Sequence, residues 1–362
     1  MTDPAMTDQS TTQPRYAVSA LLAFATRLLA AAGLDSDKSD AVASILVEGD
    51  LMGHSTHGLA LLAPYLRELE AGTMKRDGAP DVLQERAAAV TWDGRRLPGP
   101  WLVLQAMAVA TERAKLCGTG TVVIRRSHHI ACLAAYLKRA TDAGLLMFLT
   151  CSDANSASVA PFGGLDPVFT PNPLSAGIPT PDLPILIDIS TSATTNGLTN
   201  RLHQEGALLP APWLIDGHGQ PSDDPAVLFN DPKGTILPLG GMDSGHKGYG
   251  LSLLVEALTG GLAGQGRADP REGWGATVFL QIIDPAAFGG SDAFTRQTGA
   301  IVHQCHTSRP AKAGEQVRMP GERGLTLALE QQRTGVRLYP SILPSLESWS
   351  RKLGVGMPTP MA

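Results

Sequence analysis

Thr121-Val122-Val123-Ile124-Arg125-Arg126-Ser127-His128-His129-Ile130-Ala131-Cys132-Leu133 joins two kinds of pattern in one run. Thr121 to Ile124 are all β-branched and follow the loop signal Gly118-Thr119-Gly120, which predicts a short buried strand. From Ile130 on, Leu133, Ala134, Leu137 and Ala140 recur at helical spacing and Gly144 supplies a stop, which predicts a helix over 130–144. Ser127 is then its cap, and His128 and His129 fall in or beside the first turn. There, unpaired N–H groups and the positive end of the helix dipole favour a neutral imidazole and attract anions. A neutral histidine beside an anion site suits proton transfer in redox chemistry, while a histidine at such a junction also serves simply to cap or pack.

Working outward, the N-terminal quarter carries three helical patterns, 16–33, 38–52 and 59–71, with no strand among them. After Lys75 the texture changes. Strands are expected over 82–84, 88–92, 121–124, 145–150, 185–189 and 276–283, and helices over 102–116, 130–144 and 250–262. Two long loops, 170–184 and 213–238, have the length of functional segments. The stretch 325–353 returns to helical texture. The expected organisation is a mobile tail over 1–14, a helical part over 15–75, a sheet-containing domain over 76–322, and a helical tail over 323–362 that packs back on the N-terminal helices. The fold class is α/β, a mixed sheet domain with a discontinuous helical domain drawn from both termini.

A chain of 362 residues, 43% hydrophobic and 17% charged, buries a sizeable core. Its net charge of -5 provides no basic face for nucleic acid. Cys117, Cys132, Cys151 and Cys305 form no CxxC pair and read as reduced thiols of a cytoplasmic protein. The apolar run 18–34 carries Arg27 and is amphipathic, so no membrane span is expected.

The familiar catalytic signatures are missing. Gly118-Thr119-Gly120, Gly217-His218-Gly219 and Gly264-Gln265-Gly266 each lack the third glycine of a dinucleotide fingerprint, and Ser244-Gly245-His246-Lys247-Gly248 fails the P-loop pattern. There is no GxSxG elbow. His54, His57, His128 and His129 have no HExxH spacing or cysteine partners, so no metal is expected. What remains suits anion and dinucleotide chemistry. Lys247 lies among glycines before an apolar helix, where backbone N–H groups would suit a pyrophosphate. Asp188-Ile189-Ser190-Thr191-Ser192 ends a strand with a carboxylate and hydroxyls, suited to ribose and phosphate or to helix capping.

In combination, Gly53-His54-Ser55-Thr56-His57-Gly58 with Tyr65, Ser127-His128-His129, Asn172-Pro173, Asp188 to Ser192, Leu237-Pro238-Leu239-Gly240-Gly241, Lys247-Gly248-Tyr249-Gly250-Leu251 and Pro320-Gly321-Glu322 resemble the malate/L-lactate dehydrogenase-type oxidoreductases. That NAD(P)-dependent family includes ureidoglycolate dehydrogenase and Δ1-piperideine-2-carboxylate reductases, and the likeness runs from the first helix to near the C-terminus. It implies a fold other than a doubly wound Rossmann domain, a small-molecule substrate and a homodimer. It also implies hydride transfer between NAD or NADP and a 2-oxo or 2-hydroxy acid or a cyclic 2-imino acid. By the same resemblance His129 is the acid/base, with Ile130, Ala131, Cys132 and Leu133 lining the cofactor. Thr56 and His57 position or protonate substrate, Asp188, Ile189, Ser190 and Lys247 bind cofactor, and Tyr65 and Asn172 lie on the substrate side. Arg318 is a candidate for the ribose 2'-position.

Three departures fall on the substrate side. Leu61 stands where many members have an arginine, Pro171 replaces the threonine of Gly-Thr-Asn-Pro, and Leu198 replaces a polar residue after Gly197. Losing a bidentate arginine matters for a carboxylate. The same reaction on an atypical substrate is expected; the alternative is a dinucleotide-binding regulatory protein with weakened catalysis.

Overall fold

The computed structural model describes residues 13–361. Most of the expected tail, 1–12, lies outside the described residues. The short strand β1 (Arg15–Tyr16) leads into three helices, α1 (Val18–Ala31), α2 (Ser36–Leu51) and α3 (Leu62–Ala71). α1 buries Leu21, Phe24, Ala25, Leu28 and Leu29, the i, i+3, i+4, i+7, i+8 stripe of a helix lying on a core.

The sheet part runs β2 (Asp81–Glu85), β3 (Ala89–Asp93), α4 (Gly99–Cys117), β4 (Thr119–Ser127), α5 (Ala134–Asp142), β5 (Leu146–Ser152), β6 (Leu174–Ile178) and β7 (Ile185–Ile189). It continues through α6 (Asn196–Glu205), β8 (Leu214–Ile215), β9 (Pro221–Ser222), β10 (Thr235–Ile236), α7 (Gly241–Glu256), β11 (Ala276–Ile283) and α8 (Ser291–Thr307). Last come α9 (Glu322–Thr334), β12 (Val336–Arg337) and α10 (Ile342–Leu353). β12 pairs with β1, and Gln331 Nε2 donates to the carbonyls of Asp50 (3.1 Å) and Leu51 (2.9 Å), so α9 caps the end of α2.

Seven strands form one mixed sheet in the order β2-β3-β4-β11-β5-β6-β7. β3 and β4 are parallel, joined by α4, and every other neighbouring pair is antiparallel. β11 is nearly all buried, which explains why it is apolar except at Thr277 and Gln281. Its first residues pair with the last residues of β4 (Ala276 with Ser127) and β5 (Thr277 with Ser152), and the end of β7 meets the start of β6 (Ile189 with Leu174). The ends of β4, β5 and β7 therefore share one edge of the sheet, and the histidine segment leaves from that edge.

The structure corrects several expectations. The helix expected from Ile130 starts at Ala134, because β4 runs on to Ser127 and Ala131 takes a left-handed φ of 58°, which a helix cannot contain. The loop 170–184 holds β6. Its Ser175, Ala176 and Gly177 read as loop residues, yet Gly177 is small because α5 lies on it: a Cβ there would come 3.0 Å from Thr141 and 3.1 Å from Leu137. The loop 213–238 contains β8, β9 and β10, a three-stranded sheet over a second apolar cluster of Val159, Phe169, Leu209, Leu214, Val227 and Ile236. α7 begins at Gly241 rather than near Gly250, so its glycines are helical. α6 and α8, which periodicity did not reveal, complete the fold.

Candidate active site

The segment after β4 is held from several sides. Ser127 Oγ donates to the carbonyl of His128 (2.8 Å), and the buried Tyr136 hydroxyl of α5 donates to that of Ile130 (2.6 Å). Gly99 lets α4 start directly beneath, since a Cβ there would lie 2.4 Å from the carbonyl oxygens of His128 and His129.

His129 is oriented through Nδ1. The Tyr65 hydroxyl lies 2.9 Å from that nitrogen and 3.1 Å from the carbonyl of the same residue. A carbonyl only accepts, so the single phenolic proton goes to it and Nδ1–H donates to the phenol oxygen. A longer approach of Ala131 N–H to Nδ1, 3.3 Å, favours the opposite tautomer and is the weaker contact. Nε2 has no protein partner among the described residues. Trp274 tilts over the ring at 4.8 Å, and Arg96 fixes that tryptophan by donating to its carbonyl (2.7 Å).

His57 comes from the polar knot between α2 and α3. Its ring stacks with His129 at 6.0 Å, and its Nδ1 is 2.9 Å from Thr56 Oγ1. Among the described residues its Nε2 is also unbonded. Buried Asp50 anchors this knot, accepting from Leu59 N–H at 2.7 Å, and Gly58 is required beside it because a Cβ would lie 2.4 Å from the carboxylate.

Burial keeps these imidazoles neutral. It pushes His57 down to about 4, against the Asp188 carboxylate, and holds His129 well below its ordinary value, with His57 and His128 adding to the effect. His128 faces away. It is fully buried, Nε2 lies 3.3 Å from Glu68, Nδ1 has no partner, and burial pushes its pKa down against the pull of Glu68. Neutral imidazoles therefore result from burial, not from the helix dipole that the sequence suggested.

A cavity of about 350 Å³ is lined by Met52, His54, Ala134, Asp188, Arg318 and Arg323, among others; its Asp188 carboxylate links it to the histidines by acting on His57. Asp188, near the end of β7, accepts from Ala134 N–H (2.9 Å) and so caps α5 from another element. Burial raises its pKa, partly offset by that bond. His54, Cys132 and Asp188 bring ligand-type atoms within 4.8 Å of one another, a grouping that spacing did not disclose.

The chain as a whole has counterparts among known proteins. The family model described as malate/L-lactate dehydrogenase matches residues 16–347. The chain belongs to the malate/L-lactate dehydrogenase family. It is 31% identical over 339 residues to L-lactate dehydrogenase of Cupriavidus necator, covering 92% of this chain and 96% of that protein. It is 30% identical over 325 residues to Delta(1)-pyrroline-2-carboxylate reductase of Ancylobacter novellus, covering 87% and 91%. Malate dehydrogenase from Pyrococcus horikoshii superposes with a TM-score of 0.86 at 26% identity, covering 96% of this chain and 97% of that one. Malate dehydrogenase from Entamoeba histolytica shares the fold, with a TM-score of 0.90, 24% identity and coverage of 96% and 100%. Like these relatives, the chain is an oxidoreductase.

In this family member the expected site residues divide. His129, His57, Thr56 and Tyr65 come together, and Asp188 joins Arg318 at the cavity. Ile130, Ala131, Cys132 and Leu133 are buried in the main core, with Cys132 Sγ 3.9 Å from Asp188. Ile189 is exposed, and Ser190 Oγ donates to the carbonyl of Ser192. Lys247 is exposed on the second turn of α7, past the free N–H groups, and does not line the cavity. Buried Asn172 is bonded to Glu256 (2.9 Å) and Thr170 (2.7 Å), and the carbonyl of Pro171 accepts from Thr191. Leu198 packs into the second apolar cluster, so that departure does not face the histidines, while Leu61 packs on the main core. Sequence reasoning missed Trp274 and the Ser55–Arg201 contact. Gly273-Trp274-Gly275, a large aromatic between glycines in a polar loop, was the available signal.

Proposed function

We propose that the chain transfers a hydride between a nicotinamide dinucleotide, NAD or NADP, and a small 2-oxo or 2-hydroxy acid or a cyclic 2-imino acid. The observation that carries this reading is the stacked His57–His129 pair, each ring held at Nδ1 and open at Nε2, with the cavity-lining Asp188 carboxylate acting on His57.

The cavity suits the cofactor. Asp188 offers a carboxylate for ribose hydroxyls, and Arg318 and Arg323 offer guanidinium groups for phosphates. Gly321, at φ 85°, keeps the wall thin where a Cβ would strike Leu186 at 2.6 Å. When bound, the nicotinamide supplies or accepts the hydride. The protein's own part is positioning and one proton. His129 Nε2 takes the proton of a hydroxyl during oxidation, or returns one to oxygen or nitrogen during reduction. Tyr65 holds the ring still and Trp274 shields it. His57, fixed by Thr56, lies next to the same reacting atom. Relatives named for lactate, malate and a pyrroline carboxylate all act on carboxylates, which supports the substrate class. A homodimer belongs to the same reading, with α8, none of whose residues is buried, as surface for a second copy.

Purified protein incubated with NADH or NADPH and a panel of 2-oxo and cyclic imino acids should consume the reduced nicotinamide, followed by its absorbance. Tight cofactor binding with no turnover on any panel member would replace this reading with that of a regulatory dinucleotide-binding protein.

A further inference from the structure

We propose that Arg201 grips the substrate carboxylate and so determines which acids this chain accepts; the proposal rests on the acid substrate class argued above. A substrate whose reacting atom meets two neutral imidazoles in a partly buried site needs a cationic partner for its carboxylate, or desolvation of that carboxylate opposes binding. Leu61 supplies none, being packed on the core. The nearby cations divide by position. Arg96 is tied to the carbonyls of Thr73 (2.9 Å) and Trp274 (2.7 Å), Arg318 and Arg323 line the Asp188 cavity, and Arg67 is exposed. Among the described residues, Arg201 is the cation whose field reaches His57.

The geometry explains how it gets there. Thr195 caps α6, accepting from Leu198 N–H (3.3 Å), and the first turn lies on the catalytic knot: a Cβ on Gly197 would be 3.2 Å from Thr56 Cβ. Leu198 and Leu202 turn into the second apolar cluster. Gly197 and Arg201, four residues apart, therefore share the face toward residues 55 and 56. Arg201 Nη1 donates to Ser55 Oγ at 3.0 Å, two positions before His57, and its guanidinium lies 3.9 Å over the Tyr339 ring. A stacked, anchored guanidinium is a planar fork, the shape that meets a carboxylate with two parallel hydrogen bonds. Position 61 has lost such a group, and α6 brings one from the other side of the knot.

The test compares wild type with Arg201→Met and Arg201→Lys. Binding of oxamate, an unreactive 2-oxo carboxylate analogue, to the protein–NADH or protein–NADPH complex is measured by calorimetry, alongside KM for a turned-over acid and for its uncharged methyl ester. Arg201→Met should weaken oxamate binding and raise KM for the acid roughly 10- to 100-fold. KM for the ester and the affinity for reduced cofactor, read by nucleotide fluorescence, should stay near wild type, and Arg201→Lys should recover part of the loss. Unchanged oxamate binding in Arg201→Met overturns the proposal, as does an equal loss for acid and ester, which would mark a structural role. Wild type that turns over no acid overturns the proposed function instead, and the oxamate measurement then still decides on Arg201.

Discussion

Tyr65 meets His129 at two atoms, with its hydroxyl 2.9 Å from Nδ1 and 3.1 Å from the carbonyl oxygen. The pair leaves Nε2 as the working nitrogen and fixes the ring plane. Tyr65→Phe keeps the ring contacts with Trp274 (5.6 Å) and His128 (5.8 Å) while removing both bonds. Turnover should fall by roughly 10- to 100-fold with cofactor affinity preserved. Wild-type turnover in this variant would reduce Tyr65 to a packing residue.

His129→Ala removes the proposed proton carrier, and turnover should fall by about 100- to 10,000-fold while the protein stays folded by circular dichroism. The pH profile gives a second reading. Burial sets both His57 and His129 below the ordinary 6.5, so oxidation of a hydroxy acid, which needs a neutral base, should hold its kcat/KM as pH falls past 6.5. A limb centred on the ordinary histidine value would contradict the burial argument.

Much of this was legible in the sequence where one force dominated. The apolar stripe of α1 and the mostly apolar composition of β11 are the direct result of burying one helix face or both sheet faces. His57 and His129 were named through the resemblance of their motifs, because spacing alone left capping and packing open. What stayed hidden depended on contacts between distant segments. Gly177 of β6 is small because α5 presses on it, and the cap of α5 is Asp188, supplied from β7. Ala131 is left-handed only because Tyr136, Gly99 and Ser127 hold the chain around it. Arg201 reaches the knot through the packing of α6, which periodicity did not reveal.

The buried histidines also set the acid stability. His54, His57 and His128 each sit at about 4 in the folded protein against an ordinary 6.5, so unfolding takes up protons between those values. Their contribution is complete above pH 6.5 and is lost as pH falls toward 4. Asp50 opposes them: burial raises it from 3.8 to about 7, so its contribution is complete below 3.8 and is lost as pH rises through 7. Asp188 and Glu48, also raised by burial, act with Asp50. His129 and the carboxylates of Glu68 and Glu322, all held below their ordinary values, act with the histidines, and melting temperature should fall as pH drops from 6.5 to 4. Asp50→Asn keeps an acceptor for Leu59 N–H and removes the opposing group, so its stability relative to wild type should rise steadily between pH 4 and 7. A constant difference across that window would mean Asp50 does not titrate there.

Asp188 joins the cavity to the helix that begins at Ala134. Asp188→Asn keeps an oxygen for Ala134 N–H (2.9 Å) but removes the charge, separating the capping role from cofactor binding. If the carboxylate meets ribose hydroxyls, affinity for both NADH and NADPH should weaken by roughly 10- to 100-fold with little change in melting temperature. Arg318 lines the same cavity and is the candidate to divide the two cofactors. A guanidinium at the 2'-position gains a strong partner in the NADPH phosphate and only a hydroxyl in NADH, so Arg318→Ala should weaken NADPH far more than NADH. Titrating each variant with both reduced cofactors, followed by nicotinamide fluorescence, tests the two residues together. Equal losses in Arg318→Ala would place that arginine on a phosphate common to both, and wild-type affinity in Asp188→Asn would leave Asp188 only its cap.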